Sequence, residues 1–244
     1  MEYQLKALIS TILLLYSNFA FSEKLRTAWV HFPPFVVHDG SGNVTGHLVE
    51  KTRKILSDAK IESQHIVLPM QRLITMASNH EVDLVISHPK VLPNGFIFGK
   101  YTFQEFNLKV LSRKAFKKSF DEIAKHSHIG LIRGHFHFGF DKKIPKTNQV
   151  TVRNYETALL MMSKGRIDHM LAFHGRYQET LKKLIKEKRI LDKRMTQFST
   201  KPLINQHTTI GVRASLPNAK KVLEKLNSSF VKLYGPAKIL PKTD

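Results

Sequence analysis

Residues 133–140 read RGHFHFGF. His135 and His137 sit one residue apart and alternate with Phe136, Phe138 and Phe140. Imidazoles can ligate a metal, move a proton or hydrogen-bond a ligand. Three readings of the stretch are open. It is a metal site, an amphipathic strand with rings on one side and histidines on the other, or a loop that holds a ligand. The metal reading lacks partners. The 13 histidines are dispersed, there is no H-E-x-x-H or comparable set, and there is no cysteine. Without cysteine there is also no disulfide and no thiol nucleophile. Serine nucleophile chemistry lacks a G-x-S-x-G elbow, and no carboxylate pair stands out among only 19 acidic residues. His135, His174 and Lys90 remain as acid–base candidates, so enzymatic chemistry stays open. The expected set is no catalytic residue, no metal and no cofactor.

The elements around these residues alternate. LRTAWV (25–30), HIVLP (65–69) and DLVIS (83–87) read as strands. Between them, Leu48, Thr52, Ile55, Leu56 and Ala59 share one helical face, and Met70, Leu73, Ile74 and Ala77 another. HDGSGN (38–43) is a turn cluster. The middle of the chain repeats the plan. HIGLI (128–132), QVTVR (149–153) and HMLAF (169–173) are strands, and Tyr155–Met162 and Tyr177–Ile185 carry helical stripes. TIGVR (209–213) precedes a last helix on Val222, Leu226, Phe230 and Leu233, with Pro217 before it and Gly235 after it. Strand–helix alternation predicts an α/β fold with packed helices. LITMASNHEVDLVIS (73–87) and ALLMMSKGRIDHMLA (158–172) also resemble each other, which suits two lobes built on one plan. The run KKLIKEKRILDKR (182–194) reads as a solvated helix face.

The 244 residues suffice for one large domain or two lobes. Hydrophobic content of 42% with 24% charged residues excludes a disordered chain. A net charge of +20 fits either an anionic partner or a generally basic surface. MEYQLK, the apolar ALISTILLLY and Ala20-Phe21-Ser22 follow the order of a secretory signal. The apolar run is shorter than the roughly 20 residues of a spanning helix. Cleavage after Ser22 and a periplasmic location are expected. Export argues against nucleic acid, and no recognition motif supports it.

Six segments, in order, resemble the extracellular solute-binding proteins of family 3, the polar-amino-acid-binding proteins of bacterial ABC transporters. They are HFPPFVVHDGSGNVTGHLVE (31–50), LPMQRLITMASNHEVDLVIS (68–87), IFGKYTFQEFNLKVLSRK (97–114), IGLIRG (129–134), LLMMSKGRIDHML (159–171) and TIGVRASLPNAKKVLEKLNSSFVKLYGPAKIL (209–240). The resemblance implies a periplasmic binding protein type II fold. Two α/β lobes would be joined by two crossover strands, with a ligand cleft between them. Residues 1–22 would be the signal peptide, 23–111 plus 208–244 lobe 1, and 112–207 lobe 2. The implied role is capture of a small-molecule solute for an inner-membrane ABC permease or a sensor, by a monomer. An exported dehydratase- or hydrolase-like enzyme on the same fold is the alternative.

In that family an Arg after the third strand clamps the ligand carboxylate. Here the region holds Ser87, His88 and Lys90, and Lys is a point charge rather than a planar fork. Where the family carries an Asp for the ligand ammonium, His174 stands. Both amino-acid clamps are altered, so an anionic or aromatic-bearing solute is expected. His31 and Phe35 flank Pro33-Pro34, a pair that stiffens the loop, and would form an aromatic wall with Phe32. Arg72 opens a helix and would reach the cleft. Arg133, Gly134 and His135 would contact the solute, with Gly134 permitting close backbone approach.

Overall fold

In the computed structural model, residues 24–92, 94–113, 118–173, 177–190, 197–198 and 202–236 are described. The expected signal segment, the lobe termini beyond 236 and His174 lie outside them. The described residues form an α/β fold of two sheet halves flanked by six helices.

The first half takes β1 (Leu25–Val30), β4 (Ser63–Leu68) and β5 (Leu84–Ser87) in parallel. A short hairpin, β2 (Val37–His38) and β3 (Val44–Thr45), leads into α1 (His47–Asp58), and α2 (Met70–Ser78) follows β4. The second half takes β8 (Ile129–Ile132), β9 (Gln149–Val152) and β10 (His169–Phe173), also mutually parallel. Its helices are α3 (Phe120–His126), α4 (Tyr155–Ser163) and α5 (Gln178–Lys186). The alternation seen in the sequence holds in both halves. The α3 helix, whose apolar face is only one turn long, was not legible in the stripes. Its start is set by a capping box between Ser119 and Glu122.

Two long strands join the halves. The strand β7 (Gln104–Ser112) pairs through residues 104–108 with β12 (Ile204–Arg213), and through 108–112 with β10. β12 in turn pairs through residues 209–212 with β5, and through 211–213 with β6 (Phe96–Phe98). β11 (Gln197–Phe198) adds to β7. The chain ends in α6 (Ala219–Tyr234), stopped by Gly235 at φ 75°. Phe230 of α6 is buried against Phe103 at 4.9 Å and Tyr101 at 5.5 Å between ring centres. No helix among the described residues is long and apolar enough to cross a membrane.

The repeat noticed in the sequence has a physical basis. Asp83 donates its backbone N–H to the Arg26 carbonyl, and its Oδ2 accepts from Arg26 N–H at 2.8 Å. Asp168 does the same to His128, with its Oδ2 accepting at 3.0 Å. Each aspartate staples the start of its own strand to the start of the neighbouring one. Val82 and Ile167, one residue earlier, are both fully buried. The two sites differ in exposure. Asp83 is buried and takes a forked pair from Arg213, with Nη2 at 2.6 Å and Nε at 3.1 Å. Removing one partner of a buried pair leaves the other charge uncompensated. Asp83→Ala is therefore expected to lower the unfolding free energy by about 3 kcal/mol. Urea denaturation followed by circular dichroism reads this, and a loss below about 1 kcal/mol would show that the clamp is not stabilising.

Candidate functional site

The sheet halves meet at one cavity of about 130 Å³. Its walls come from the carboxyl ends of the parallel strands, where open α/β sheets place ligands. His31 and Phe32 follow β1, Met70 follows β4, and Ser87 and His88 end β5. From the other half come Gly134, His135, Phe136 and Phe138 after β8, and Phe173 at the end of β10. The crossing strands supply Phe106, Gln206 and Thr208.

The His31–Val37 loop is held by α1. Gly46, at the helix N-terminus, has φ 115°, and a Cβ there would lie 2.5 Å from the Phe35 carbonyl oxygen. Only glycine permits that approach. The next turn completes the lock, since Leu48 N–H donates to the same carbonyl at 3.1 Å. The Pro33-Pro34 bond is cis. Phe32 turns toward the other half, with its ring 5.8 Å from Phe173 and 6.4 Å from His135. Phe35 packs behind it, edge-on to Phe106 at 5.0 Å, and does not line the cavity.

RGHFHFGF forms two consecutive turns. His135 N–H donates to the Ile132 carbonyl around Gly134 at φ 76°. Phe140 N–H then donates to the His137 carbonyl. The two residues inside that second turn, Phe138 and Gly139, have φ 54° and 81°. Left-handed backbone is unfavourable for a phenylalanine. Its ring offsets that cost by packing on Phe136 at 4.7 Å, on Phe173 at 6.4 Å and on His88 across the cleft at 5.9 Å. The stretch is thus a loop, not a strand, and His135 and His137 differ in fate. His135 reaches the cavity, whereas His137 is buried.

The cleft histidines are oriented by the backbone. His88 Nδ1 accepts from Lys90 N–H at 3.0 Å, and His31 Nδ1 accepts from His38 N–H at 3.2 Å. In the neutral ring the proton then sits on Nε2, which becomes a donor. Burial lowers the His88 pKa, and the charges of Lys90 and His207 push it the same way. Gln206 is buried at 4% exposure, and its Oε1 has no hydrogen-bond partner among the described residues.

Of the residues singled out from sequence, the cavity gathers His31, Ser87, His88, Gly134 and His135. Lys90 and Arg133 are exposed beside it without lining it, and Arg72 lies on the exposed face of α2. Sequence reasoning missed Phe106, Phe173, Gln206 and Thr208. A hydrophobic stretch hides Phe106 and Phe173, and nothing marks Gln206 as different from a surface glutamine. Among the described residues no group of three potential metal ligands exists.

No family model and no curated protein matches the sequence. Solved structures do. The arginine-bound, truncated ArgBP from T. maritima superposes with a TM-score of 0.62 at 18% identity, over 86% of this chain and 95% of that one. The GluR0 ligand-binding core with L-glutamate gives 0.66 at 14%, over 86% and 91%. A histidine kinase sensor domain with similarity to periplasmic binding proteins gives 0.66 at 15%, over 86% and 90%. This is the two-lobed periplasmic-binding-protein fold. The resemblance to the family 3 solute-binding proteins holds at the level of that fold. Within the periplasmic-binding-protein fold, the cavity described above occupies the cleft between the lobes, and β7 and β12 are the crossover strands.

The buried His137 and the half-buried His65, His88 and His169 predict a pH response. Burial is the leading cause that holds the pKa of His65, His88, His137 and His169 below 6.5. A depressed histidine contributes stability above its unfolded pKa, near 6.5, and that contribution is lost as pH falls through the lower folded value. Stability should therefore decline from about pH 7.5 to pH 5, by up to about 1.4 kcal/mol per pH unit for each such proton. His137→Leu should make the decline shallower by about one proton. Thermal melts across that range check it, and an unchanged slope would remove His137 from the set.

Proposed function

We propose that the protein is a non-enzymatic solute-binding protein that captures a small molecule between its lobes. The observation that carries this reading is the cleft itself. Loops from the strand ends of both lobes converge on one cavity, and both crossing strands run beneath it. Such a junction lets the lobes close over a ligand and exclude water. The similar structures with arginine or L-glutamate bound support a binding role in this fold. The sensor-domain likeness and the transport resemblance leave two recipients for the captured solute, a permease and a sensor. Lobe 1 is taken as residues 23–111 plus 208–244 and lobe 2 as 112–207, close to where β7 and β12 exchange partners. The protein acts as a monomer in the periplasm after cleavage behind Ser22.

Acid–base catalysis has less support. The described residues that line the cleft include three histidines but no carboxylate to pair with them. The sequence expectation of an anionic solute rested on Lys90 and His174. Lys90 is exposed and does not line the cavity, and no other Lys or Arg takes its place among the described residues.

Native mass spectrometry of the mature protein isolated from a periplasmic fraction tests the reading. One small molecule per chain is the expected result. His135→Ala should weaken its retention at least about tenfold, or 1.4 kcal/mol, with little change in melting temperature. Conversion of that molecule on incubation would establish an enzyme instead. Loss of stability with retention intact would make His135 a packing residue.

A further inference from the structure

Five non-glycine residues among the described ones have left-handed backbone: Lys60, His80, Phe138, Lys188 and Asn218. Lys60, His80 and Lys188 each stand one residue past the C-cap of a helix, where that conformation is common. Asparagine tolerates it at Asn218, the N-cap of α6. Phe138 fits neither case. It is the first of two left-handed residues inside the turn closed by Phe140 N–H and the His137 carbonyl. Such turns favour Asn or Asp followed by Gly. Gly139 is in place, but a phenylalanine stands where a small polar residue belongs. Residues held in unfavourable backbone cluster at clamps and switches, where the surroundings over-determine them. The surroundings of Phe138 are rings. Phe136 meets it edge-on at 4.7 Å and Phe173 at 6.4 Å, both from lobe 2. His88, from lobe 1, meets it edge-on at 5.9 Å and 86°. His88 is set by its own segment, since its Nδ1 accepts from Lys90 N–H and its carbonyl from Val91 N–H, both at 3.0 Å. Each ring is thus fixed within its own lobe, and the two meet across the cleft. Phe32 and Phe173 make a second ring contact between the lobes at 5.8 Å.

We propose that Phe138 is a latch between the lobes: its ring, seated on His88, biases the protein toward the closed arrangement of the cleft. This rests on the solute-binding reading above, in which closure encloses the solute, and names the contact that sets it. Edge-to-face ring pairs attract beyond their buried area, enough to shift a two-state ratio by roughly two- to tenfold. A solute meeting a cleft already biased to closure binds more tightly, because less of its binding free energy goes into closing the lobes. The turn explains why a phenylalanine is kept there. Asn or Gly would suit the backbone better, but neither reaches His88 with a ring.

Distances between the lobes test this. The chain has no cysteine, so Ser57→Cys on α1 and Lys182→Cys on α5, both exposed, carry spin labels without background. Double electron–electron resonance on the mature protein then reads the populations of closed and open arrangements. Phe138→Gly removes the ring and suits the left-handed backbone. It should lower the ratio of the parent's main distance population to the rest at least about twofold. Phe138→Asn, which also tolerates that backbone, should match it, which separates loss of the ring from added freedom in the loop. His88→Ala should give the same fall, and the double variant Phe138→Gly, His88→Ala no further one, because both remove one contact. An unchanged distribution in any single variant, or additive falls in the double variant, would overturn the latch. A ring that only packs within lobe 2 would lower the melting temperature on removal and leave the distances alone, which would overturn it too. The distances are read without any solute. A failed latch therefore leaves the solute-binding reading standing, and native mass spectrometry tests that reading separately.

Discussion

Everything in the structure hangs on two strands that each belong to two sheets. β12 spends residues 204–208 on β7 and residues 209–213 on β5 and β6, and β7 spends residues 108–112 on β10. Backbone hydrogen bonds must be made wherever the chain is buried. A strand shared this way cannot slip in one sheet without breaking register in the other. The buried polar residues of β12, Gln206, His207, Thr208 and Thr209, fall at the exchange point. Thr209 Oγ1 donates to the Gly99 carbonyl at 3.1 Å, and Thr208 Oγ1 to the Gln104 carbonyl at 3.2 Å. These side chains satisfy carbonyls where the ladders change over. Gln206 lines the cavity.

Around that junction the lobes use one construction twice. In each, an aspartate behind a buried Val or Ile ties the third strand back to the first, Asp83 to Arg26 and Asp168 to His128. The tie fixes the amino ends of the strands. The opposite ends are thereby left to loops of different lengths, which supply His31, Phe32, His88, Gly134, His135, Phe136 and Phe138 to the cavity. Arg213 adds a cross-chain lock only in lobe 1, where it reaches Asp83 from the far end of β12. Lobe 1 is thus joined to the crossover by side chains as well as backbone.

The fold was legible because its signals are periodic. β1, β9, β10 and the stripes of α1, α2 and α4 were visible as apolar alternation or helical spacing, and the segments for the resemblance came in order. The first half of β12 was not. Asn205, Gln206, His207 and Thr208 carry no apolar alternation, because Asn205 is exposed and the other three are buried on a polar junction rather than a hydrophobic core. The site was half legible for the same reason. His31, Ser87, His88, Gly134 and His135 follow strand ends, so their position alone marks them. Phe106 sits inside β7 and Phe173 is the last residue of β10, and their role depends on which face the sheet turns to the cleft. Lys90 was read from the place of the family's clamp and Arg133 from its place in the loop after β8, but charged side chains prefer water. Both are exposed.

That last contrast separates two electrostatic properties of the molecule. The chain carries +20, yet the described lining of its cleft carries no lysine or arginine. Long lysine and arginine stems keep their charged ends hydrated when they can. At physiological salt their fields fade over about 8 Å. The basic charge therefore lies outside the described cleft lining, which is made of rings, imidazoles and uncharged polar side chains. His88 shows how the two are kept apart. Lys90 stands beside it and uses its backbone N–H, not its ammonium, to set the ring that lines the cleft. Its positive charge disfavours a second one on the imidazole. A cationic neighbour thus helps keep this imidazole of the cleft wall neutral.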